Sequence, residues 1–177
     1  MIDGKALSPV AKQGKKERPA KDCALFMLER SDRTAQELRK KLKEKGYLPE
    51  EIDDALSFLE EYRYVDDAEY AKRYIRSHSA QKSIRQIRMQ LEQKGIDAQW
   101  IDEGFACIPV DEEAQILAWI RKKGCAPGHK AEWKQYRKVA AGLYRKGYPS
   151  EKIYKVMGTV WGTEAQFPEL QPDPPGI

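Results

Sequence analysis

The chain has 177 residues, of which 41% are hydrophobic and 34% charged, with a formal net charge of +4. A soluble domain averages about a quarter charged residues, so this chain has a high ratio of surface to core. No apolar run approaches the ~20 residues of a membrane span, and the first residues lack the apolar stretch of a secretory signal, which places the expected location inside the cell. Three scattered cysteines, Cys23, Cys107 and Cys125, argue against a disulfide framework.

Residues 1–20 carry Lys5, Lys12, Lys15, Lys16 and Arg18 with little apolar content, and are expected to form a disordered basic tail. Asp22 then reads as the cap of a helix over Cys23–Arg30 with Ala24, Leu25 and Leu28 inward. Thr34-Ala35-Gln36-Glu37 has the form of a capping box opening the next helix. Leu38 and Leu42 give that helix an apolar face, and Gly46 ends it, because the residue after a helix commonly adopts a left-handed backbone. Pro49, Glu50 and Glu51 suit the opening turn of a third helix.

The same order recurs. Asp66 is expected to cap Asp67 to about Ser77, with Tyr70, Tyr74 and Ala71 inward. Ile87, Leu91 and Gly95 follow, then Asp97 as a cap for Ile101 and Phe105. A third round has Asp111 capping Glu112–Lys123 with Ala114, Leu117 and Ile120 inward, then Val139, Leu143 and Gly147, then Ser150 as a cap for Ile153 and Met157. Lys45, Lys94 and Lys146 each precede the glycine. The spacing within each round is identical, with offsets of 49 and 52 residues between rounds. Such self-similarity predicts an all-α fold of three tandem three-helix repeats, stacked into an elongated, curved body. The expected units are 21–60, 61–108 and 109–158, followed by a Pro-rich tail over 159–177.

No catalytic chemistry emerges. Cys125 and His129 are too few for structural zinc, which takes four ligands. Asp66-Asp67 at a helix start reads as cap and dipole partner. No phosphate loop, nucleophile elbow or nucleophile–base–orienter set is present, so the expectation is a non-enzymatic protein with no cofactor and no metal.

The basic residues are the candidate contacts. Lys82, Arg85 and Arg88 recur at i, i+3 and i+6, opposite Ile84, Ile87 and Leu91, and Arg73 and Arg76 extend the patch. Contact with DNA phosphates or an acidic protein surface is one reading, and a solvated face the other. Lys134, Arg137 and Lys138 form a second set near Trp133 and Tyr136, where core packing competes with base stacking. The bases of the first round, Arg39 to Lys45, point to several sides and read as solvated surface.

Arg30-Ser31, Glu37-Leu38-Arg39, Lys45-Gly46-Tyr47, Tyr64-Val65-Asp66-Asp67, Tyr70-Ala71, Ile87-Arg88 and Lys94-Gly95-Ile96 together resemble the RecX family. The third round, with Lys146-Gly147-Tyr148, is a weaker match. One departure is Lys82-Ser83, where similar proteins usually have Lys-Gly. The resemblance implies a cytoplasmic regulator that binds the RecA–DNA filament within its groove; a monomer is expected, since no dimer-forming heptad run appears in the sequence. It further implies suppression of ATP hydrolysis, strand exchange and co-protease activity, with roles in DNA repair and the SOS response. Two competing readings are a direct DNA-binding protein of helix-turn-helix type acting without RecA, and a helical-repeat adaptor for another protein.

Overall fold

The computed structural model describes residues 18–123 and 133–161, with Trp133 described by its backbone alone. Nine helices and no strand occur among the described residues. They are α1 (Ala20–Leu28), α2 (Ala35–Glu44), α3 (Pro49–Glu61), α4 (Asp67–His78), α5 (Ile84–Gln93), α6 (Ala98–Cys107), α7 (Glu112–Lys122), α8 (Trp133–Arg145) and α9 (Ser150–Trp161). The all-α, three-by-three organisation expected from the sequence repeat is therefore present.

Side-chain caps open α2, α4, α5 and α7. Thr34 Oγ1 accepts from the Glu37 N–H at 3.2 Å, and the Glu37 carboxylate accepts from the Thr34 N–H at 3.3 Å, which is the expected reciprocal box. Asp66 accepts from the Glu69 N–H and Asp111 from the Ala114 N–H. Asp97 is the N-cap residue of α6, but its side chain makes no capping bond. Two starts differ from the sequence reading. α1 begins at Ala20 behind Pro19, whose carbonyl accepts from the Cys23 N–H, so Asp22 lies in the first turn and acts on the dipole rather than as the cap. Likewise the first turn of α9 closes on the Pro149 carbonyl, leaving Ser150 inside the helix.

The helix ends follow the glycine rule. Gly46, Gly95 and Gly147 have φ of 81°, 80° and 80°, and the residue after each sends its N–H back to the Leu42, Leu91 or Leu143 carbonyl.

The described residues fall into two compact units. One comprises the residues up to Arg33 together with Leu38–Val65. Its core includes Ala24, Met27, Leu38, Leu42, Ile52, Leu56 and Leu59, and α1 packs on α3. The second comprises Thr34–Glu37 and everything from Asp66 onward. Within it α4 packs on α6 and α7 on α9, around two apolar clusters. Ala71, Ile75, Ile87, Leu91, Ile96 and Ile101 form one. Ile116, Ile120, Val139, Leu143, Ile153 and Met157 lie in the other, which Val160 and Trp161 extend. Three inward assignments shift by one or two positions. Met27, Ile75 and Ile116 are the buried residues, whereas Ala114 is exposed and Tyr70 and Tyr74 are only half-buried. Each shift turns the apolar stripe of the first helix by less than one turn, a distinction that the short helices leave open in sequence.

The buried polar or charged residues among the described ones are Thr34, Ser83 and Glu112. Thr34 Oγ1 donates to the Lys94 carbonyl at 2.6 Å, and Ser83 Oγ donates to the Lys146 carbonyl at 2.7 Å while accepting from the Gln86 N–H. Each hydroxyl thus uses its donor and an acceptor lone pair, which offsets the cost of burial. The next N–H in each case finds a carboxylate, Ala35 on Asp67 at 3.1 Å and Ile84 on Glu112 at 2.9 Å. Lys94 Nζ pairs with Glu37 at 2.8 Å and Lys152 Nζ with Glu112 at 2.9 Å. Burial alone would lower the Lys94 pKa, but hydrogen bonds with Glu37 and Tyr70 outweigh it and raise it. Ser83, which the sequence resemblance marks as a departure from Lys-Gly, sits at φ −65° and ψ 157°, so no glycine is needed there.

Gly46 offers a clean test of the left-handed caps, because no described atom lies within 4 Å of a Cβ placed there. Gly46→Val therefore isolates backbone strain. It is expected to cost roughly 1 kcal/mol or more and to lower the melting temperature by a few degrees. A melting temperature equal to the parent's would contradict the assignment.

Candidate interaction surfaces

The second-repeat bases do not form one patch. Arg73 and Arg76 are exposed on α4. Lys82 precedes the Ser83 cap and so lies outside α5. Its Nζ donates to Gln90 Oε1 at 2.7 Å and to the Tyr74 hydroxyl at 3.3 Å, which turns it toward α4. Arg88 turns the other way, pairing with Asp102 of α6 and lying 5.7 Å from the Phe105 ring centroid. Arg85 is exposed, and its Cβ and Cδ border Gly147. The i, i+3, i+6 stripe is split because α5 has packing neighbours on both flanks, and one of them supplies the acid that the local sequence lacks.

Arg88–Asp102 has a counterpart in Arg39–Asp53 of the first unit, each arginine and aspartate shifted by the same 49 residues. These pairs are largely exposed, so they fix side-chain direction more than they stabilise the fold. The positions 52 residues beyond Arg88 and Asp102 hold Ala140 and Tyr154.

The third repeat concentrates positive charge more effectively. Lys134, Arg137 and Lys138 are exposed on α8. Lys138 joins Trp119, Lys123, Gln135, Val139, Gly142 and Arg145 in lining an open groove of about 260 Å³ between α7 and α8. Lys123 Nζ sits 5.4 Å from the Trp119 ring centroid, and no acid lines the groove. A flat aromatic bordered by three cations suits an unpaired base with its flanking phosphates, or an acidic peptide. Gly142 makes the groove possible, since a Cβ there would meet the Trp119 ring at 2.9 Å. Tyr136 is buried and lies 5.7 Å, centroid to centroid, from Trp161, in keeping with the core reading. Trp119 and Lys123 were not singled out by sequence because they lie on a different helix from the α8 bases. Their i, i+4 spacing, matched by Tyr74 and His78 of α4 with centroids 4.1 Å apart, is the signal that could have found them.

A second groove, of about 440 Å³, lies in the first unit. Cys23, Phe26 and Met27 of α1 face Lys41, Glu44 and Lys45, with Arg30 and Arg33 at its edge. The Arg30 guanidinium lies 4.7 Å from the centroid of the exposed Phe26 ring. So two of the first-repeat bases expected to be plain solvated surface line a concave, partly apolar face.

Among the described residues no cluster of three or more His, Cys, Asp or Glu could hold a metal ion, and Cys125 and His129 lie outside them. No helix among the described residues is long and apolar enough to cross a membrane.

Comparison with known proteins matches three family models in succession: the first three-helix domain of RecX over residues 20–59, the second over 66–104 and the third over 111–157. A regulatory protein RecX of Vibrio vulnificus is 35% identical over 136 residues, covering 75% of this chain and 87% of that protein. One from Clostridium tetani is 30% identical, covering 88% of this chain and 73% of that protein. A Geobacillus relative of the same name is 34% identical over 76% of this chain, which spans about half (51%) of that relative's length. A solved structure of RecX from Lactobacillus salivarius superposes with a TM-score of 0.68 at 19% identity, covering 80% of this chain and 94% of the other, and so shares the fold. A crystal structure of a regulatory protein RecX gives a TM-score of 0.64 at 28% identity, covering 77% and 68%. With three successive domains matched over most of the described residues, the chain belongs to the RecX family.

Proposed function

We propose that this protein is a non-enzymatic regulator of the RecA recombinase, acting as an inhibitor. In this reading it binds the RecA–DNA filament within its groove as a monomer in the cytoplasm. It thereby suppresses ATP hydrolysis, strand exchange and co-protease activity, and so bears on DNA repair, homologous recombination and the SOS response. The observation that carries the reading is the run of three RecX-type domains in order along the chain. Support for a non-catalytic role comes from the relatives, which are named regulatory proteins.

The α7–α8 groove favours a particular contact. Trp119, Lys123, Lys138 and Arg145 would engage DNA within the filament, the ring stacking on a base and the cations meeting phosphates. Arg73, Arg76, Arg85, Lys134 and Arg137 remain further candidates. Arg88 and Lys82 contribute less, because each is already turned onto a neighbour of its own chain.

The direct test is RecA ATP hydrolysis on single-stranded DNA with this protein titrated in at fixed salt. A dose-dependent fall at or below equal stoichiometry is expected. An unchanged rate, with no co-sedimentation on the filament, would overturn the reading and favour a DNA-binding or adaptor role. The groove assignment is tested by Lys138→Glu with Arg145→Glu. This pair is expected to weaken filament binding at least about fivefold at low salt, and to flatten its salt dependence, with the melting temperature unchanged. Equal affinity in the folded double variant would remove the groove from the interface.

A further inference from the structure

Three lysine–glycine helix ends in this chain share one backbone geometry but differ in what covers them. At Gly95 a Cβ would strike the Gln36 side chain. At Gly147 it would meet Ser83 Oγ at 3.0 Å and Arg85 at 3.4 Å. At both, the neighbouring lysine carbonyl accepts from a hydroxyl N-cap, Thr34 or Ser83. At Gly46 no described atom lies within 4 Å, and no described group donates to the Lys45 carbonyl. Lys45 and Gly46 are exposed, although Gly46 keeps φ at 81°.

The occupied copies state the chemistry of the open one. A helix C-terminus carries partial negative charge and a helix N-terminus partial positive charge, so one helix start set on another's end is favourable. The hydroxyl cap satisfies a carbonyl that the ending helix cannot bond internally. Three residues after the Thr34 cap, Glu37 meets the ammonium of Lys94. Around Lys45 the charge is more one-sided: Arg30, Arg33, Lys41 and Lys45 border the groove against Glu44 alone, and Arg33 Nε is buried without a hydrogen-bond partner.

We propose that the Lys45–Gly46 end of α2 is a docking site for a protein partner, and that it takes the first turn of a partner helix opening on Ser or Thr with Glu three residues on. The hydroxyl donates to the Lys45 carbonyl, the glutamate meets Lys45 Nζ, and the turn covers Gly46 as Gln36 covers Gly95. A second copy of this chain is disfavoured as the occupant, since Thr34 and Ser83, the hydroxyl N-caps among the described helices, are both engaged within their own chain. The site is independent of the RecA reading, and its failure would leave that reading intact.

The test uses the full chain, isotopically labelled, titrated with a synthetic peptide copying Asp32–Gly46, whose cap turn is the one that already covers Gly95. Saturable shifts of the Gly46 and Tyr47 amides are expected. The same peptide with Val in place of its Thr is expected to bind about three- to tenfold more weakly, the loss of one hydrogen bond. In the chain, Gly46→Asn keeps the left-handed turn, which Asn tolerates, and fills the socket; it is expected to abolish the shifts with the melting temperature nearly unchanged. Lys45→Glu is expected to weaken binding without unfolding the chain. Equal binding of the Thr and Val peptides, or shifts that persist in Gly46→Asn, would overturn the proposal. Removal of residues 1–17 tightening the peptide severalfold would reassign the socket to the chain's own start, and a dimer abolished by Gly46→Asn would reassign it to a second copy.

Discussion

The structure turns on a buried hydroxyl. Thr34 and Ser83 sit 12 residues before the cap glycines of their own repeats and bond to the lysine carbonyl one repeat further on. Burial of a hydroxyl is costly unless both donor and acceptor are met, and both are. One side chain therefore starts a helix and closes the end of another. Glu112, the third buried polar residue, belongs to the same device, taking the Ile84 N–H and the Lys152 ammonium at once. The third repeat has Gln135 at the matching position, inside α8 and exposed, so the series stops there.

These contacts matter because the individual helices are short. At 9 to 13 residues, none would be stable alone in water. Each trio buries a handful of aliphatic side chains, with its first and third helices as the main packing pair. The middle helix is left with a surface for something else: Arg39 and Arg88 reach across to aspartates, while Lys41 and Lys138 face grooves. A repeat fold that confines its buried polar groups to a few cap positions keeps the remaining charge on surfaces available for a partner.

Much of the fold was legible in the sequence because its signals are local. Gly46, Gly95 and Gly147 announce left-handed ends, and Asp66, Asp111 and the Thr34–Glu37 box announce starts, each within four residues. The role of Ser83 was not legible. It stood out as a departure from Lys-Gly, and its partner carbonyl lies 63 residues away. The candidate surface was harder still. Lys82, Arg85 and Arg88 are regular along the chain, but α4 and α6 draw Lys82 and Arg88 to opposite flanks of α5. The α7–α8 groove gathers Trp119 and Lys123 from one helix and Lys138 and Arg145 from another, across residues where the chain gives no periodic cue.

If the hydroxyl cap bonds hold successive helices in place, loss of the Ser83 hydroxyl must weaken the fold. Urea unfolding of Ser83→Ala and Ser83→Thr would be compared with the parent. A loss of roughly 1–3 kcal/mol is expected for Ala, which strands the Lys146 carbonyl and the Gln86 N–H, and a much smaller loss for Thr, which keeps the hydroxyl. An alanine variant as stable as the parent would contradict it.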